Sequence, residues 1–322
     1  MIPFRRLNKN SIVAAAAPIY NAFFSTQIPS SAHYDDLINA AGKQGDFASV
    51  RHLLSKRLSQ GCLNTNKTFK FIATDVSVLD DLLLNLAAID DWFVKKHAHD
   101  SLVAQLANLH RTAEALRVAE IMGRKNYGAT AATFNPVLNA LAKKKDMLAA
   151  WRVVDAMRAC NVKPNITSFN YILTAYCFTG DVASAADTLV KMEEEGMKAD
   201  AITYDALVLG ACRAGKVEGA VAVMRRMVDD GVVALFSTHG HILKEMVGCG
   251  YYAAAVDYVR MYAGGDEKLD AENFGYLARR LKYVKRIEEA GSVVVEMEKR
   301  GIQIDDGLKD LSPSFLLRDT GN

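Results

Sequence analysis

The sequence predicts an all-α protein, a right-handed α-solenoid of stacked helical hairpins with a 35-residue repeat. The first observation is self-similarity at one period, since Phe134, Phe169 and Tyr204 are each separated by 35 residues. The second is the apolar spacing inside each repeat, which follows the i, i+3, i+4, i+7 rule of an amphipathic helix. The third is physical: one helical hairpin cannot bury the apolar stripes of both its helices, so neighbouring repeats have to supply the missing wall.

Length and composition describe a folded chain with ample apolar material. It has 322 residues, of which 50% are hydrophobic and 24% charged, with a formal net charge of +2. Residues 1–30 carry three basic residues and no acid, so the rest of the chain is close to neutral. A neutral body is not typical of a protein that relies on phosphate attraction alone. No apolar run reaches the roughly 18 residues of a membrane-spanning helix, so no membrane insertion is predicted.

Residues 1–30 are predicted to be a mitochondrial targeting presequence, because they are basic, acid-free and rich in Ala and Ser. A plastid address and a secretory signal are the alternatives, in that order. Pro18 interrupts the apolar run that a secretory signal needs. The cysteines do not suggest a disulfide framework either: Cys177 and Cys212 are 35 residues apart and so occupy the same place in successive repeats, as small core residues.

Residues 31–130 are predicted to be degenerate versions of the same repeat. Tyr34 to Ile38 resembles the opening of a repeat, with Gly45 at the inner turn, which indicates a repeat near 31–65. A second opening begins at Thr68 and has to end near Lys95, and a third repeat is predicted at 96–130. Degenerate terminal repeats are expected in a solenoid because they cap the stack.

Five regular repeats follow without insertion, and residues 306–322 form a C-terminal tail. The repeats are 131–165, 166–200, 201–235, 236–270 and 271–305. In 166–200 a first helix buries Phe169, Ile172, Leu173 and Tyr176, and Gly180-Asp181 ends it, with Asp181 as the N-cap of a second helix. The apolar stripe of that second helix consists of Val182, Ala185, Ala186, Leu189 and Met192, and Gly196 lies at its C-terminal cap.

The repeat 201–235 resembles the pentatricopeptide repeat. The residues that carry the resemblance are Thr203 to Val208, Cys212 to Val217, Ala220, Met227 and Asp230-Gly231. The related tetratricopeptide repeat is one residue shorter, and its Trp-Leu-Gly signature is missing here. The resemblance implies organellar RNA binding, with one base per repeat recognised from the groove lined by the first helices. In this family the fifth and the last residue of each repeat set the base choice.

Transferred to this chain, that rule predicts three base-reading positions. Asn135 with Asn165 implies a pyrimidine, chiefly C, and Asn170 with Asp200 implies U. An amide can donate and accept at a Watson–Crick edge, and the neighbouring acid or amide fixes its orientation. Asp205 is the third base-reading residue, although its partner position holds Leu235. In the last two repeats the fifth residues are Gly240 and Gly275, which have no side chain to read a base.

The resemblance also implies contacts with the RNA backbone and with base faces. A basic residue near the end of the first helix is aimed at phosphate in this family, and Lys143 and Arg213 fit that position. Phe178, Gly248 and Tyr283 occupy it in the other repeats and do not fit. An aliphatic second residue sandwiches each base, and only Ile202 matches.

Catalytic, metal and cofactor sites are not predicted, and the sequence indicates a protein that is not an enzyme. His97 and His99, and likewise His239 and His241, have no Cys or carboxylate at ligand spacing. His239 replaces the packing aromatic of its repeat, which favours a core or groove histidine. No glycine-rich phosphate loop is present.

Two hypotheses about function follow. The first is an organellar protein that binds single-stranded, pyrimidine-containing RNA and acts in mitochondrial transcript processing, stability or translation. The second is a protein-interaction scaffold, or a structural subunit of a mitochondrial ribosome or another ribonucleoprotein. The second hypothesis is the alternative to the first, and the near-neutral charge and the incomplete base-reading pattern are the features that support it.

Overall fold

The computed structural model describes residues 29–313. The regular secondary structure of these residues is entirely helical, with no β-strand. They form two compact units, unit 1 ending at Ala129 and unit 2 beginning at Thr130. Within this described part no helix is both long and apolar enough to cross a membrane.

The described part of unit 1, from residue 29 onward, contains five α-helices and one short 3-10 helix. They are α1 Ser31–Lys43, α2 Phe47–Ser59, the 3-10 helix Lys70–Ala73, α3 Leu79–Ala87, α4 Trp92–Asn108 and α5 Thr112–Arg124. The hairpins α1–α2 and α4–α5 pack as helical pairs. Between them, the 3-10 helix stands where a first helix would start. Asn39 of α1 holds this segment, since its Nδ2 donates to the carbonyl of Lys67 and its Oδ1 accepts the Phe71 N–H.

Up to residue 313, where the description ends, unit 2 contains ten α-helices in five hairpins, followed by a 3-10 helix. They are α6 Ala131–Lys144, α7 Met147–Ala159, α8 Ile166–Thr179, α9 Val182–Glu194, α10 Ala201–Arg213, α11 Val217–Asp229, α12 Phe236–Gly248, α13 Tyr252–Tyr262, α14 Glu267–Tyr283, α15 Ile287–Lys299 and the 3-10 helix Asp306–Leu311. The first helices pack side by side in the order α6, α8, α10, α12 and α14. This stacking confirms the predicted all-α array of helical hairpins.

The core of unit 2 repeats with the sequence period. Phe134, Phe169, Tyr204 and Phe274 are buried in the first helices. The second helices bury a small residue at the matching place, which lets the helices approach closely; these residues are Ala150, Ala185, Ala220, Ala255 and Ala290. Each apolar stripe is therefore covered by its own hairpin partner and by the next repeat.

The helix boundaries in repeat 166–200 follow the predicted signals. Asp181 caps α9 by accepting the N–H of Ser184 at 3.1 Å. Gly180 has φ +77° and Gly196 has φ +76°, a conformation that side chains with a Cβ rarely adopt.

The predicted stripe of α9 was wrong at one position. Ala186 is exposed, and Thr188 is buried in its place. A threonine tolerates burial here because its hydroxyl donates to the carbonyl of Ser184 at 2.7 Å. Another departure from the 35-residue frame is α14, which begins at Glu267, before residue 271, because Asp266 caps it by accepting the N–H of Leu269.

Candidate nucleic-acid interface

The predicted base-reading residues lie on the first helices of three successive hairpins, α6, α8 and α10. We call the surface lined by these three helices the reading groove. The last residue of a repeat is the N-cap of the next first helix, so its position is set by capping: Asn165 accepts the N–H of Ser168 at 3.0 Å, and Asp200 accepts the N–H of Thr203 at 2.8 Å. Helix capping therefore places the last residue beside the fifth residue of its own repeat.

The first subsite consists of Asn135, Asn165 and Ser168. The Nδ2 of Asn135 points at the Oδ1 of Asn165 at 3.4 Å, and the hydroxyl of Ser168 donates to the Oδ1 of Asn135 at 2.7 Å. The hydroxyl of Ser168 thus holds the carboxamide oxygen of Asn135, and the NH₂ group of Asn135 faces Asn165.

The second subsite has the same geometry with a carboxylate in place of one amide. The Nδ2 of Asn170 donates to the Oδ1 of Asp200 at 3.0 Å, and Thr203 donates to the Oδ1 of Asn170 at 2.7 Å. Asn170 is only 5% exposed. Each predicted pair is therefore in contact, and the hydroxyl of the next repeat orients the fifth residue.

The third subsite is built differently from the prediction. Leu235 contributes no polar group to Asp205, whose Oδ1 instead accepts from Ser237 and Thr238, each at 2.8 Å. Its Oδ2 lies 3.8 Å from Nε2 of His241. Burial, the largest single influence, would raise the pKa of this carboxylate, but the contacts with His241 and the two hydroxyls together lower it. Asp205 is thus an ionised acceptor without an amide donor.

The hydroxyl at the third position of a repeat is a recurring element that the sequence reasoning missed. Ser168, Thr203 and Thr238 are 35 residues apart, and each donates to the fifth residue of the preceding repeat. The sequence signal that could have revealed this element is a Ser or Thr that recurs every 35 residues at the third position of a repeat.

A cleft of about 520 Å³ opens between α6, α8 and the start of α10. We call it the α8 cleft. Among the residues that line it, four are predicted site residues: Lys143, Asn170, Asp200 and Ile202. Ile202 is 57% exposed, so its side chain is available to a planar ligand. Tyr171 and Phe178 also line the cleft and were not predicted, because Tyr171 lies at none of the positions that the resemblance assigns and Phe178, at the phosphate position, is not basic.

The two predicted phosphate-contacting residues are both exposed, on α6 and α10. Lys143 faces the α8 cleft. Arg213 is held against the preceding repeat, because its Nη1 donates to the carbonyl of Phe178 at 3.0 Å and its guanidinium lies 3.9 Å from the centre of the Phe178 ring.

The polar pattern ends beyond α10. In the last repeat, Gly275 leaves the fifth position empty, and Asp305 pairs with Arg279 instead. His239 is buried, and its Nδ1 lies 2.9 Å from the hydroxyl of Tyr258, so it is a core histidine. Within residues 29–313 no group of three His, Cys, Asp or Glu residues is placed to hold a metal ion.

His239 makes the stability of unit 2 depend on pH. Burial lowers its pKa from 6.5 to about 4, against the attraction of Asp270. The folded state therefore binds fewer protons than the unfolded state between these values, and stability falls as the pH drops from about 6.5 to 4. We expect a loss of about 2 to 3 kcal/mol over that range.

The measurement is urea unfolding of the full chain at pH 7, 5.5 and 4.5, compared with His239→Phe. Phenylalanine is the residue that three other repeats of unit 2 carry at this place. The variant loses the Tyr258 hydrogen bond, worth about 1 kcal/mol, at every pH, but lacks the extra loss in acid. Identical pH dependence of the two proteins would contradict the assignment.

The first repeat of unit 1 uses the same positions for a buried ion pair. Asp35, its fifth residue, contacts Arg57 at 2.8 Å and accepts from Thr65 and Thr68. Arg57 also donates to the carbonyl of Ser31 and is 1% exposed. A carboxylate neutralised in this way is closed to a base.

Two buried cysteines fit their predicted place in the core. Cys177 and Cys212 are buried in α8 and α10, and burial raises the pKa of each thiol to about 12. Gly210 lies opposite Cys177, since a Cβ at that position would meet the Cys177 sulfur at 2.9 Å. These thiols are packing residues between adjacent first helices.

Comparison with known proteins agrees with this repeat architecture. A family model described as pentatricopeptide repeat-containing protein matches residues 85–192, and a model described as PPR repeat matches residues 195–228. Two Arabidopsis thaliana proteins are similar along most of the chain. The pentatricopeptide repeat-containing protein At2g40240, mitochondrial, is 57% identical over 89% of this chain and 84% of its own length; At3g56030, mitochondrial, is 44% identical over 88% and 83%.

The chain belongs to the pentatricopeptide repeat family. Both relatives are named as mitochondrial proteins, which confirms the predicted mitochondrial location over the plastid. The predicted presequence itself, residues 1–30, lies outside the described residues except for its last two.

Solved structures of the family resemble the chain more distantly. The pentatricopeptide repeat protein PPR10, in complex with an 18-nt psaJ RNA element, aligns with a TM-score of 0.48 and 17% identity. The alignment covers 95% of this chain but 43% of PPR10, so the chain spans less than half the length of that protein. The PPR domain of Arabidopsis thaliana protein-only RNase P 1, in complex with tRNA, aligns with a TM-score of 0.37 and 15% identity over 65% of this chain.

Proposed function

We propose that this protein binds single-stranded, pyrimidine-containing RNA in the reading groove and acts, without catalysis of its own, in mitochondrial transcript processing, stability or translation. The observation that carries the proposal is the repeated polar pair on adjacent helices, Asn135 with Asn165 and Asn170 with Asp200, each held in one orientation by a hydroxyl of the next repeat.

The first subsite supports cytosine. Within residues 29–313 the amide nitrogen of Asn165 makes no hydrogen bond, and Asn135 keeps one N–H beyond its contact with Asn165. The subsite therefore presents donors. The Watson–Crick edge of cytosine has two adjacent acceptors, N3 and O2, which match them.

The second subsite supports uracil. Asn170 keeps one amide N–H, and in the described part of the chain Asp200 Oδ2 accepts no hydrogen bond. The subsite therefore presents a donor beside an acceptor. Uracil offers a carbonyl beside its imino N–H, and both can be satisfied together.

The surroundings support a strand with unstacked bases. Ile202 offers an exposed apolar face next to the second subsite, and Lys143 places a cation in the same cleft. An apolar face for the base combined with a cation for the backbone is the arrangement that proteins use for single-stranded nucleic acid.

The direct test is binding of the full chain to a labelled pyrimidine-containing RNA oligonucleotide, measured by fluorescence anisotropy between 50 and about 300 mM salt. We expect the single strand to bind more tightly than the same sequence in a duplex. We also expect the logarithm of the affinity to fall linearly with the logarithm of the salt concentration, with a slope of about −0.7 for each phosphate contact. Equal affinity for single strand and duplex, or no binding, would contradict the proposal.

A second candidate, the protein-interaction scaffold, is favoured by the surface of unit 1. Leu63, Leu84, Trp92 and Phe93 are large apolar side chains that are exposed there. In purified mitochondria, ultraviolet crosslinking of the tagged protein separates the two functions. A discrete RNA footprint supports RNA binding, whereas stable protein partners that survive nuclease treatment, without a footprint, support the scaffold.

A further inference from the structure

Phe178 stands in a register position where its neighbours carry cations. Lys143, Phe178 and Arg213 are each 35 residues apart, so they occupy the same place near the C-terminal ends of α6, α8 and α10. Phe178 is 47% exposed. The exposed ring of Phe178 therefore lies between two basic positions of the neighbouring repeats.

Two cations from the neighbouring repeats converge on this ring. The guanidinium of Arg213 lies 3.9 Å from the ring centre, and the Nζ of Lys145 lies 5.6 Å from it. Both distances are within the range of a cation–π contact. Arg213 is fixed a second time, since its Nη1 donates to the carbonyl of Phe178.

These contacts leave the charges themselves available. Nε and Nη2 of Arg213 make no hydrogen bond among the residues that the structure describes, and no carboxylate pairs with Lys145 there. Both side chains are exposed. A held but unpaired cation loses less conformational freedom on binding an anion than a mobile one.

We propose that Phe178 is a positioning residue, whose ring holds Arg213 and Lys145 over the reading groove so that both cations contact phosphates of a bound RNA strand. The inference rests on the proposed function and adds to it two things. Lys145 becomes a phosphate contact, and the aromatic residue at the basic position acts through its two neighbours.

The test measures RNA affinity and its salt dependence for Phe178→Leu, with the single-stranded oligonucleotide described above. Leucine keeps an apolar side chain but removes the ring face. We expect affinity to fall about threefold to tenfold. Since loosened cations release fewer counterions, the salt slope becomes shallower by about 0.7 for each phosphate that a cation no longer neutralises. Phe178→Trp retains an aromatic face and keeps both affinity and slope.

Replacing Phe178 in a variant that lacks both cations distinguishes a positioning role of the ring from direct contact between the ring and a base. In Lys145→Ala/Arg213→Ala, further replacement of Phe178 by Leu has no additional effect if the ring acts through these two side chains. An additional loss of affinity there, at unchanged slope, would show that a base stacks on Phe178 and would overturn the proposal. Wild-type affinity and slope in Phe178→Leu would overturn it as well.

Tyr283→Leu is the matched control, because Tyr283 is an exposed aromatic residue at the same register position in a repeat whose fifth residue is Gly275. We expect Tyr283→Leu to leave both the RNA affinity and the salt slope unchanged. Thermal unfolding of every variant is recorded in parallel, and Phe178→Leu keeps the wild-type midpoint. If wild type itself does not bind the oligonucleotide, the proposed function fails, which is a different result from a silent Phe178→Leu in a protein that binds.

Discussion

Replacing Arg57 by alanine is expected to destabilise unit 1 by about 3 to 5 kcal/mol, because it leaves the Asp35 carboxylate buried without its counter-charge. The side chain of Arg57 contacts Asp35 and Thr68 and donates to the carbonyl of Ser31. Both charged side chains are almost fully buried. Among the described residues, the hydroxyls of Thr65 and Thr68 are the remaining side-chain partners of the charge.

The chain offers a clean optical probe for this measurement. It has two tryptophans, Trp92 in unit 1 and Trp151 in unit 2. In a Trp151→Phe background, the fluorescence of Trp92 during urea unfolding reports unit 1 alone. A shift in unfolding free energy below about 1 kcal/mol would contradict the prediction, since that is the size expected for an exposed pair.

The paired variant Asp35→Leu/Arg57→Met is the control for this experiment. Removing both charges and keeping apolar volume avoids an orphaned ion, so most of the lost stability should return. RNA affinity should equal that of wild type, because a carboxylate closed by Arg57 has no free edge for a base.

The double variant Asn135→Ala/Asn170→Ala is expected to lose about 2 kcal/mol of RNA binding free energy, roughly 1 kcal/mol for each subsite. That corresponds to a dissociation constant about thirtyfold larger. The loss should also remove the preference for a pyrimidine at the two corresponding bases. The measurement is anisotropy with a set of oligonucleotides that differ at one base.

The Asn170 replacement needs a control for folding, because this side chain is buried and bonded to both Asp200 and Thr203. Asp200→Asn serves this purpose, since asparagine is already the N-cap at the equivalent Asn165. It should move the preference of the second subsite from U towards C with little change in stability. Asn139 lines the same cleft, and its replacement in Asn139→Ala should leave the base preference unchanged. Unaltered affinity and preference in the double variant would show that these subsites do not read RNA.

The pairing of residues 30 positions apart was implied by the resemblance to the pentatricopeptide repeat, in which the fifth and the last residue of a repeat act together. The period shown by Phe134, Phe169 and Tyr204 applies that rule in the same register to Asn135 with Asn165 and to Asn170 with Asp200. Both pairs are indeed in hydrogen-bonding contact. What the pairs bind is still a prediction, which the experiments above address.

The third subsite could not be anticipated from the period alone. The rule pairs Asp205 with Leu235, which has no polar atom to offer. In the structure, Ser237 and His241 from the next first helix face this carboxylate instead. A side-chain contact between two helices depends on which rotamers their packing allows, and a repeat pattern carries no information about that.

The sequence by itself therefore determined the all-helical repeat through its periodicity, and the composition near the N-terminus predicted the mitochondrial location. The positions proposed to read bases are what the resemblance to the pentatricopeptide repeat implies. The tertiary structure decided the rest. Arg57 neutralises Asp35, which lies 22 residues earlier in the chain. A 3-10 helix at Lys70–Ala73 takes the place of a first helix. Lys145 and Arg213 both contact the ring of Phe178. Each of these depends on side chains from different helices meeting in space, which no local pattern specifies.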